Sequence, residues 1–234
     1  MSQFVLRGPA CVLALAFIAS SPARAECAAP RLLLERFLSA DCEACWKATP
    51  PTPAPAQSGI PFVLDWIVPS ASAAKTPMSH AAVADAAARA ARAGSLRGDE
   101  VLTQSTPLPA RSALRLKVED GPGWNGYVAL KLEVSYDSSR PLPQGLAGYL
   151  ALVERIGVGD DGSPVARQVV RTVIGPLPLE GLAQGRKVDH LRAARFPEAA
   201  KPERIATVGW LETAAGRVLA VASSRTDANC RRTP

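Results

Sequence analysis

The chain has 234 residues, of which 47% are hydrophobic and 21% are charged, a globular composition that excludes a disordered chain or a coiled coil. No apolar run reaches the roughly 18 residues that a membrane-spanning helix needs. The formal net charge is +6, but the basic residues are scattered and do not alternate with aromatic residues, which disfavours nucleic-acid binding.

Residues 1–25 have the three parts of a secretory signal peptide. Arg7 supplies positive charge, residues 11–18 form a short apolar core, and residues 23–25 read Ala-Arg-Ala, an A-x-A cleavage signal. We therefore expect cleavage after Ala25 and a periplasmic or secreted mature chain without a membrane span. Its 25 basic and 21 acidic residues leave a net charge of +4, because two of the 27 basic residues leave with the leader.

Four cysteines remain after this cleavage, an even number that favours disulfide bonds in an exported protein. Cys42 and Cys45 form a C-x-x-C unit, so the simplest pairing is Cys42–Cys45 together with Cys27–Cys230. The second bond would join the two ends of the mature chain. The alternative is that Cys27 and Cys230 pair with cysteines of another protein.

The first part of the mature chain has a βαβ-like order of elements. We expect a buried strand at residues 31–40, a proline-rich stretch at 49–59 and a second buried strand at 62–68. A helix follows at residues 79–93, and residues 95–112 form a connecting or edge segment without strong periodicity. The prolines exclude a long helix directly after the cysteines. Ser79 is a suitable N-cap for the predicted helix, and Gly94 is a suitable stop at its C-terminus.

From Ala113 onward, hydrophobic and polar residues alternate, which predicts short antiparallel strands. Six strands are expected between Gly, Pro and Asp turns, at residues 114–118, 128–134, 149–156, 165–174, 205–211 and 218–222. Residues 175–203 look irregular. This pattern is typical of an antiparallel sandwich.

A strand that leads directly into a C-x-x-C unit at the start of a helix is the arrangement of a thioredoxin. The partial positive charge of a helix N-terminus stabilises a thiolate, so Cys42 would attack a substrate disulfide and Cys45 would resolve the mixed disulfide. The acidic neighbours Asp41 and Glu43 oppose this activation, because negative charge raises the pKa of a thiol. The alternative is a structural disulfide that pins a loop.

Other chemistries find less support, and no cofactor or metal is expected. Haem attachment needs histidine where Trp46 stands. Zinc would need two further ligands, and neither Cys27 and Cys230 nor His80 and His190 have the spacing of metal ligands. The sequence contains no G-x-S-x-G nucleophile elbow, phosphate loop or dinucleotide fingerprint.

Asp65 interrupts the apolar residues 62–68, beside Trp66. A carboxylate on a buried strand is costly unless it is hydrogen-bonded or belongs to a working site. In a thioredoxin-like sheet this strand lies next to the strand that carries the cysteines, so Asp65 is a candidate proton acceptor near Cys45. The alternative is that Asp65 occupies an exposed strand end.

Residues 37–45, with the pattern Phe-x-Ser-x-x-Cys-x-x-Cys, resemble the opening of a secreted thioredoxin-like family of proteobacteria known as a domain of unknown function. The Asp65-Trp66 pair is similar to that family's next strand. The β-rich half is similar as well, at residues 152–154, 169–171, 208–211 and 218–222. The resemblance covers most of the mature chain and implies a thioredoxin-like domain with a β-rich extension, without a settled reaction.

Two departures from this family stand out. Val63 and Leu64 occupy the place of a histidine that commonly precedes the Asp-Trp pair. Residues 106–108 read Thr-Pro-Leu where the family has Thr-Pro-Gln, so the resemblance implies that Pro107 is the cis-proline facing the cysteines. If Pro107 does not face them, the substrate-docking surface is incomplete.

The expected fold class is therefore α+β, with a thioredoxin-like domain over residues 26–110 and an antiparallel β-sandwich-like domain over residues 111–234. The leading hypothesis is an exported thiol–disulfide oxidoreductase or redox sensor that uses Cys42 and Cys45 on other periplasmic thiol or disulfide proteins. The alternative is a non-catalytic envelope module with two structural disulfides. Copper delivery is a third hypothesis, although no Met-rich or His-rich tract supports it. The sequence leaves the oligomeric state open.

Overall fold

A computed structural model describes residues 30–50, 61–70 and 78–225. The predicted signal peptide and the predicted Cys27–Cys230 bond lie outside these residues. Within them, no helix is both long enough and apolar enough to cross a membrane.

The described residues form ten strands and two α-helices. The strands are β1 (Leu32–Ser39), β2 (Phe62–Val68), β3 (Leu102–Pro107), β4 (Leu114–Trp124), β5 (Tyr127–Tyr136), β6 (Ala147–Ile156), β7 (Arg167–Pro178), β8 (Arg186–Arg195), β9 (Ile205–Glu212) and β10 (Val218–Ser223). The helices are α1 (Glu43–Lys47) and α2 (Ala84–Ala93). Short 3-10 turns cover Ser79–Ala81, Asp160–Gly162 and Pro202–Arg204.

The strands form one large mixed sheet and one small sheet. The large sheet has seven strands in the order β10-β9-β6-β7-β2-β1-β3, and the small sheet has three in the order β4-β5-β8. β1 runs parallel to β2, and β2 meets β7 in parallel where Asp65 pairs with Val169. The other pairings are antiparallel.

The large sheet is covered on both faces. In β1, Phe37 packs in a cluster with Ala86 and Ala90 of α2, whereas its neighbour Leu38 packs with Cys42 and Cys45. Because successive side chains of a strand point to opposite faces, α2 and the cysteine segment lie on opposite faces of the sheet. Because it is covered on both sides, β1 is buried along nearly its whole length, including its two charged residues Glu35 and Arg36.

The small sheet covers the face opposite α2, beside α1. Leu150 and Leu152 of β6 pack against Leu130 and Leu132 of β5, whereas Ala151 between them belongs to the cluster under α2. β5 alternates buried and more accessible residues, as expected of a strand with one face in a core and the other toward solvent.

A buried charge cluster attaches α2 to the large sheet. The Arg89 guanidinium lies between the rings of Trp66 and Trp210, 5.3 and 5.2 Å from their centroids. It donates hydrogen bonds to the carboxylates of Glu35 and Glu212. Glu35 and Glu212 raise the pKa of Arg89 and more than offset the opposing effect of its burial, so the group stays charged.

The expected fold class is wrong. The described residues are about half strand and one-eighth helix, at 50% and 13%, and strands from both halves of the chain share the seven-stranded sheet. Residues 30–50, 61–70 and 78–225 do not form a thioredoxin-like domain followed by a separate sandwich. The local pattern of β2 does not reveal that it pairs with β7, because that contact joins distant parts of the chain.

Two local expectations also need correction. The helix predicted from Ser79 begins at Ala84, after a 3-10 turn, and Val83 takes the N-cap position without a side-chain hydrogen bond. The stretch expected to be irregular contains β8. The hydrophobic alternation by which a strand is recognised is broken there, because His190 and Arg192 share the inner face with Val188 and Ala194, whereas Leu191 is 66% exposed on the outer face.

Candidate functional site

The C-x-x-C unit lies where β1 ends and α1 begins. Cys42 is the N-cap of α1, and its sulfur accepts a hydrogen bond from the backbone N–H of Cys45 at 3.1 Å. Glu43 and Lys47 form an exposed ion pair one turn apart. The helix has only five residues and ends before the prolines, as the sequence predicts.

Cys42 and Cys45 form the predicted disulfide, with their Cα atoms 5.2 Å apart. Both residues are buried, with exposed fractions of 7% and 3%. They pack in an apolar cluster that includes Leu38, Ile67 and Met78. A disulfide in this position holds α1 against the sheet, and its sulfurs are poorly accessible to another protein's thiolate.

Asp65 is fully buried and held by cations, so the alternative of an exposed strand end is wrong. Its Oδ2 lies 2.7 Å from Nη2 of Arg36, and its Oδ1 lies 3.0 Å from Nη1 of Arg167. The backbone N–H of Gln168 also donates to Oδ2, at 3.0 Å. None of the contacts described for Asp65 involves Cys45. These contacts give Asp65 an ion-pairing role in place of the predicted role as proton acceptor.

Arg167 connects this buried carboxylate to α1. Its Nη2 donates to the backbone oxygen of Trp46 at 2.8 Å, and its Nε donates to Oγ of Ser163 at 2.8 Å. Burial and the like charge of Arg36 lower the pKa of Arg167, while Asp65 opposes that shift. The indole N–H of Trp46 donates to the backbone oxygen of Asp161, which ties α1 to the β6–β7 connection as well.

Pro107 lies far from the cysteines. It pairs with Leu32 at the start of β1, whereas the C-x-x-C unit follows the end of that strand. Seven residues of extended strand separate these positions by about 23 Å. The one cis peptide bond in the described part of the chain joins Gly175 and Pro176, so the bond before Pro107 is trans. The implied cis-proline facing the cysteines is wrong for Pro107.

A cavity of about 370 Å³ lies beside α1, on the face of the large sheet opposite α2. Ile67, Ile156 and Val169 from three strands form its apolar floor, and Trp46 contributes an aromatic side wall. Its volume is within the range of small-molecule sites.

The cavity contains charged groups of both signs in equal number. Arg171 pairs with Glu154 at 2.9 Å, and both side chains are almost fully buried. Nη2 of Arg171 donates to the backbone oxygen of Glu198 at 2.8 Å, and burial lowers the pKa of Arg171. Around the opening, Lys47 and Lys201 pair with acidic side chains on the surface. The cavity therefore combines an apolar floor with a boundary of acidic and basic side chains in equal number.

The sequence pattern indicates that these charged residues are buried, although it does not show that they lie near one site. Glu154 interrupts the apolar run of β6, Arg171 interrupts that of β7, and the buried Arg167 begins β7. A charged residue inside a buried strand indicates a buried partner. Which residue is the partner depends on how distant strands pair.

A metal site finds no support in the described residues. They contain no group of three or more His, Cys, Asp or Glu side chains that is placed to hold an ion.

Comparison with known proteins gives little information about the family or function of this chain. No family model matches the chain, and no curated protein matches it. Among solved structures, it is similar to a domain of the outer membrane lipoprotein Omp28 from Porphyromonas gingivalis, with 13% sequence identity and a TM-score of 0.35. That match covers 50% of this chain and 88% of the Omp28 domain. A likeness this weak assigns neither a fold nor a function to the chain.

Proposed function

We propose that this protein is an exported, non-catalytic binding module whose ligand occupies the cavity beside α1. One observation carries the proposal: a buried disulfide fixes the short helix that supplies the aromatic wall of an apolar cavity. The leader pattern of residues 1–25 supports export.

Disulfide exchange fits the surroundings of Cys42 and Cys45 less well. Exchange needs an accessible sulfur and an activated thiolate, but both residues are buried and α1 is too short to supply much helix dipole. The described contacts of Asp65 do not reach the cysteines, and Pro107 lies at the other end of β1. A structural role for the disulfide is consistent with the burial of both cysteines, the short α1, the contacts of Asp65 and the position of Pro107.

The ligand that fits the cavity best is a small molecule with an apolar body and no net charge. The floor of Ile67, Ile156 and Val169 offers dispersion contacts and removes apolar surface from water. The charged side chains that line the cavity are three acidic and three basic residues: Glu43, Glu154, Asp161, Lys47, Arg171 and Lys201. A strongly anionic or cationic ligand would meet as much repulsion as attraction.

A redox titration tests the structural role of the disulfide. The exported protein is equilibrated in graded thiol–disulfide buffers, alkylated, and mapped by mass spectrometry. We expect Cys42–Cys45 to stay oxidised down to about −300 mV, the region of structural disulfides. Reduction near the higher potentials of known oxidoreductases would overturn the non-catalytic proposal and favour thiol–disulfide exchange.

A binding experiment tests the cavity separately. Nile red, an uncharged apolar dye, is titrated into the protein and its fluorescence is followed. Trp46→Ala removes the aromatic wall, and we expect it to weaken binding about tenfold. Trp124→Ala is the matched control, because Trp124 is exposed and does not line the cavity. An equal effect of the two substitutions would rule out the cavity as the dye site.

A further inference from the structure

The tip of the β4–β5 hairpin presents two aromatic side chains to solvent. Asn125 and Gly126 form a two-residue turn with φ values of 47° and 77°, the backbone that a tight hairpin with twisted strands requires. Trp124 and Tyr127 flank this turn and pair across it. Their exposed fractions are 83% and 50%.

These aromatic residues do not contribute to the core. The hairpin buries its other face, where Val128 and Leu130 pack against the large sheet. Next to the aromatic pair on the outer face lie Ala129 and its partner Ala193, whose small side chains leave the ring of Tyr127 unsupported. Trp124 and Tyr127 lie side by side, so they form a contiguous exposed aromatic patch of the kind found at contact surfaces.

The tip is also electropositive. Arg195 pairs directly with Tyr127, and in the described part of the chain its guanidinium has no ion-pair or hydrogen-bond partner. The three strands of the small sheet together contain seven basic and four acidic residues. An anionic surface would therefore be attracted to this sheet and would meet Arg195 beside the two aromatic rings.

We propose that the tip formed by Trp124, Tyr127 and Arg195 binds the headgroup layer of an anionic phospholipid membrane. Trp and Tyr combine an apolar ring with a polar atom, and both are enriched at the level of lipid headgroups. A free guanidinium beside them suits a lipid phosphate. The hairpin tip is narrow, so the two rings can enter the lipid headgroup layer while the hydrophobic core beneath them stays in place. This surface is independent of the cavity beside α1.

Vesicle binding tests the proposal on the whole protein, recovered after export with its mature N-terminus verified by mass spectrometry. Vesicles of phosphatidylcholine mixed with phosphatidylglycerol are compared with vesicles of phosphatidylcholine alone in a flotation assay. We expect binding to the anionic vesicles that weakens as salt is added. Trp124→Ala should lower the partition coefficient about tenfold.

Two further variants separate the electrostatic contribution of Arg195 from nonspecific effects of a surface substitution. Arg195→Gln should weaken binding to anionic vesicles and reduce its salt dependence, with little effect on the weak binding to neutral vesicles. Val158→Ala is the matched control, because Val158 is 72% exposed elsewhere on the surface and should leave binding unchanged.

Three results would overturn the proposal. One is the absence of binding to anionic vesicles, and another is binding that Trp124→Ala leaves intact. The third is a wild-type dimer, detected by light scattering, that Trp124→Ala dissociates, because the tip would then be an interface between two copies of the chain.

Discussion

The guanidinium carbon of Arg167 lies 4.6 Å from the centroid of the Trp46 ring, in a cation–π contact. The same side chain, which is wholly buried, pairs with Asp65. Through these contacts β7 holds the helix that carries the C-x-x-C unit. The position of the disulfide therefore depends on a residue distant in the sequence, as well as on the bond itself.

Replacing Arg167 by Met should destabilise the protein by about 3 kcal/mol, because it leaves the buried Asp65 carboxylate with one cationic partner instead of two. The fluorescence of Trp46 should also change, since the ring loses the guanidinium above it. Denaturant unfolding followed by fluorescence measures both effects. Lys187→Met removes an exposed ion pair with Glu133 and should cost less than about 1 kcal/mol. Equal losses for the two variants would contradict the assigned role of Arg167.

Replacing Cys42 and Cys45 together by Ala should lower the free energy of unfolding by about 2 kcal/mol, because the bond closes only a short loop. The large sheet should survive, since most of its core lies away from α1. Thermal unfolding and circular dichroism measure stability and strand content. Nile red binding to the cavity should weaken as α1 loosens. Unchanged binding would show that the disulfide does not support the cavity wall.

The alkaline stability of the protein should depend on Tyr149. Burial, followed by the carboxylate of Glu212, raises the pKa of this phenol, and its ring stacks on Trp210 at 5.2 Å between centroids. An acid whose pKa is higher in the folded state releases its proton more easily when unfolded. Its contribution to stability is therefore complete below the pKa of about 10 in the unfolded chain and is lost as the pH rises through the folded-state pKa.

Tyr149→Phe should consequently flatten the fall in stability above about pH 10. Urea unfolding at several alkaline pH values tests this effect. Tyr127→Phe serves as the control, because that phenol is half-exposed on the hairpin tip. If the two variants have the same alkaline profile, Tyr149 is not the group responsible.

The contact between the two sheets depends on Gly209 of β9. A Cβ atom added there would lie 2.7 Å from Cγ2 of Val118 and 2.9 Å from Cδ1 of Leu132. Gly209→Ala should therefore force the sheets apart and cost about 1–3 kcal/mol. Gly98→Ala meets no atom within 4 Å and should leave the unfolding midpoint almost unchanged. A neutral Gly209→Ala variant would mean that the small sheet moves freely on the large one.

Local sequence patterns identified many of the elements near the candidate site. The apolar runs predicted β1 and β2, and the prolines after the cysteines limited α1 to five residues. The spacing of Cys42 and Cys45 predicted their disulfide. Each of these features depends on residues that are close in the chain, so the sequence carries the relevant geometry.

The sequence did not reveal the partners of the buried charges. Asp65 was recognised as unusual, but its contacts with Arg36 and Arg167 require β2 to lie between β1 and β7. The thioredoxin-like interpretation failed for the same reason, since it rested on local order. β8 was missed because its inner face includes His190 and Arg192 while Leu191 is exposed, and because its pairing with β5 is a long-range contact.

The sequence by itself determined the leader pattern, the short cysteine helix and the strands with strong apolar or alternating character, because all of these arise from neighbouring residues. Only the tertiary structure decided that both halves share one sheet, that Asp65 pairs with two arginines, and that a cavity lies beside the disulfide. The physical reason is that strand pairing and the burial of charge are settled by contacts between distant segments, which no local pattern specifies.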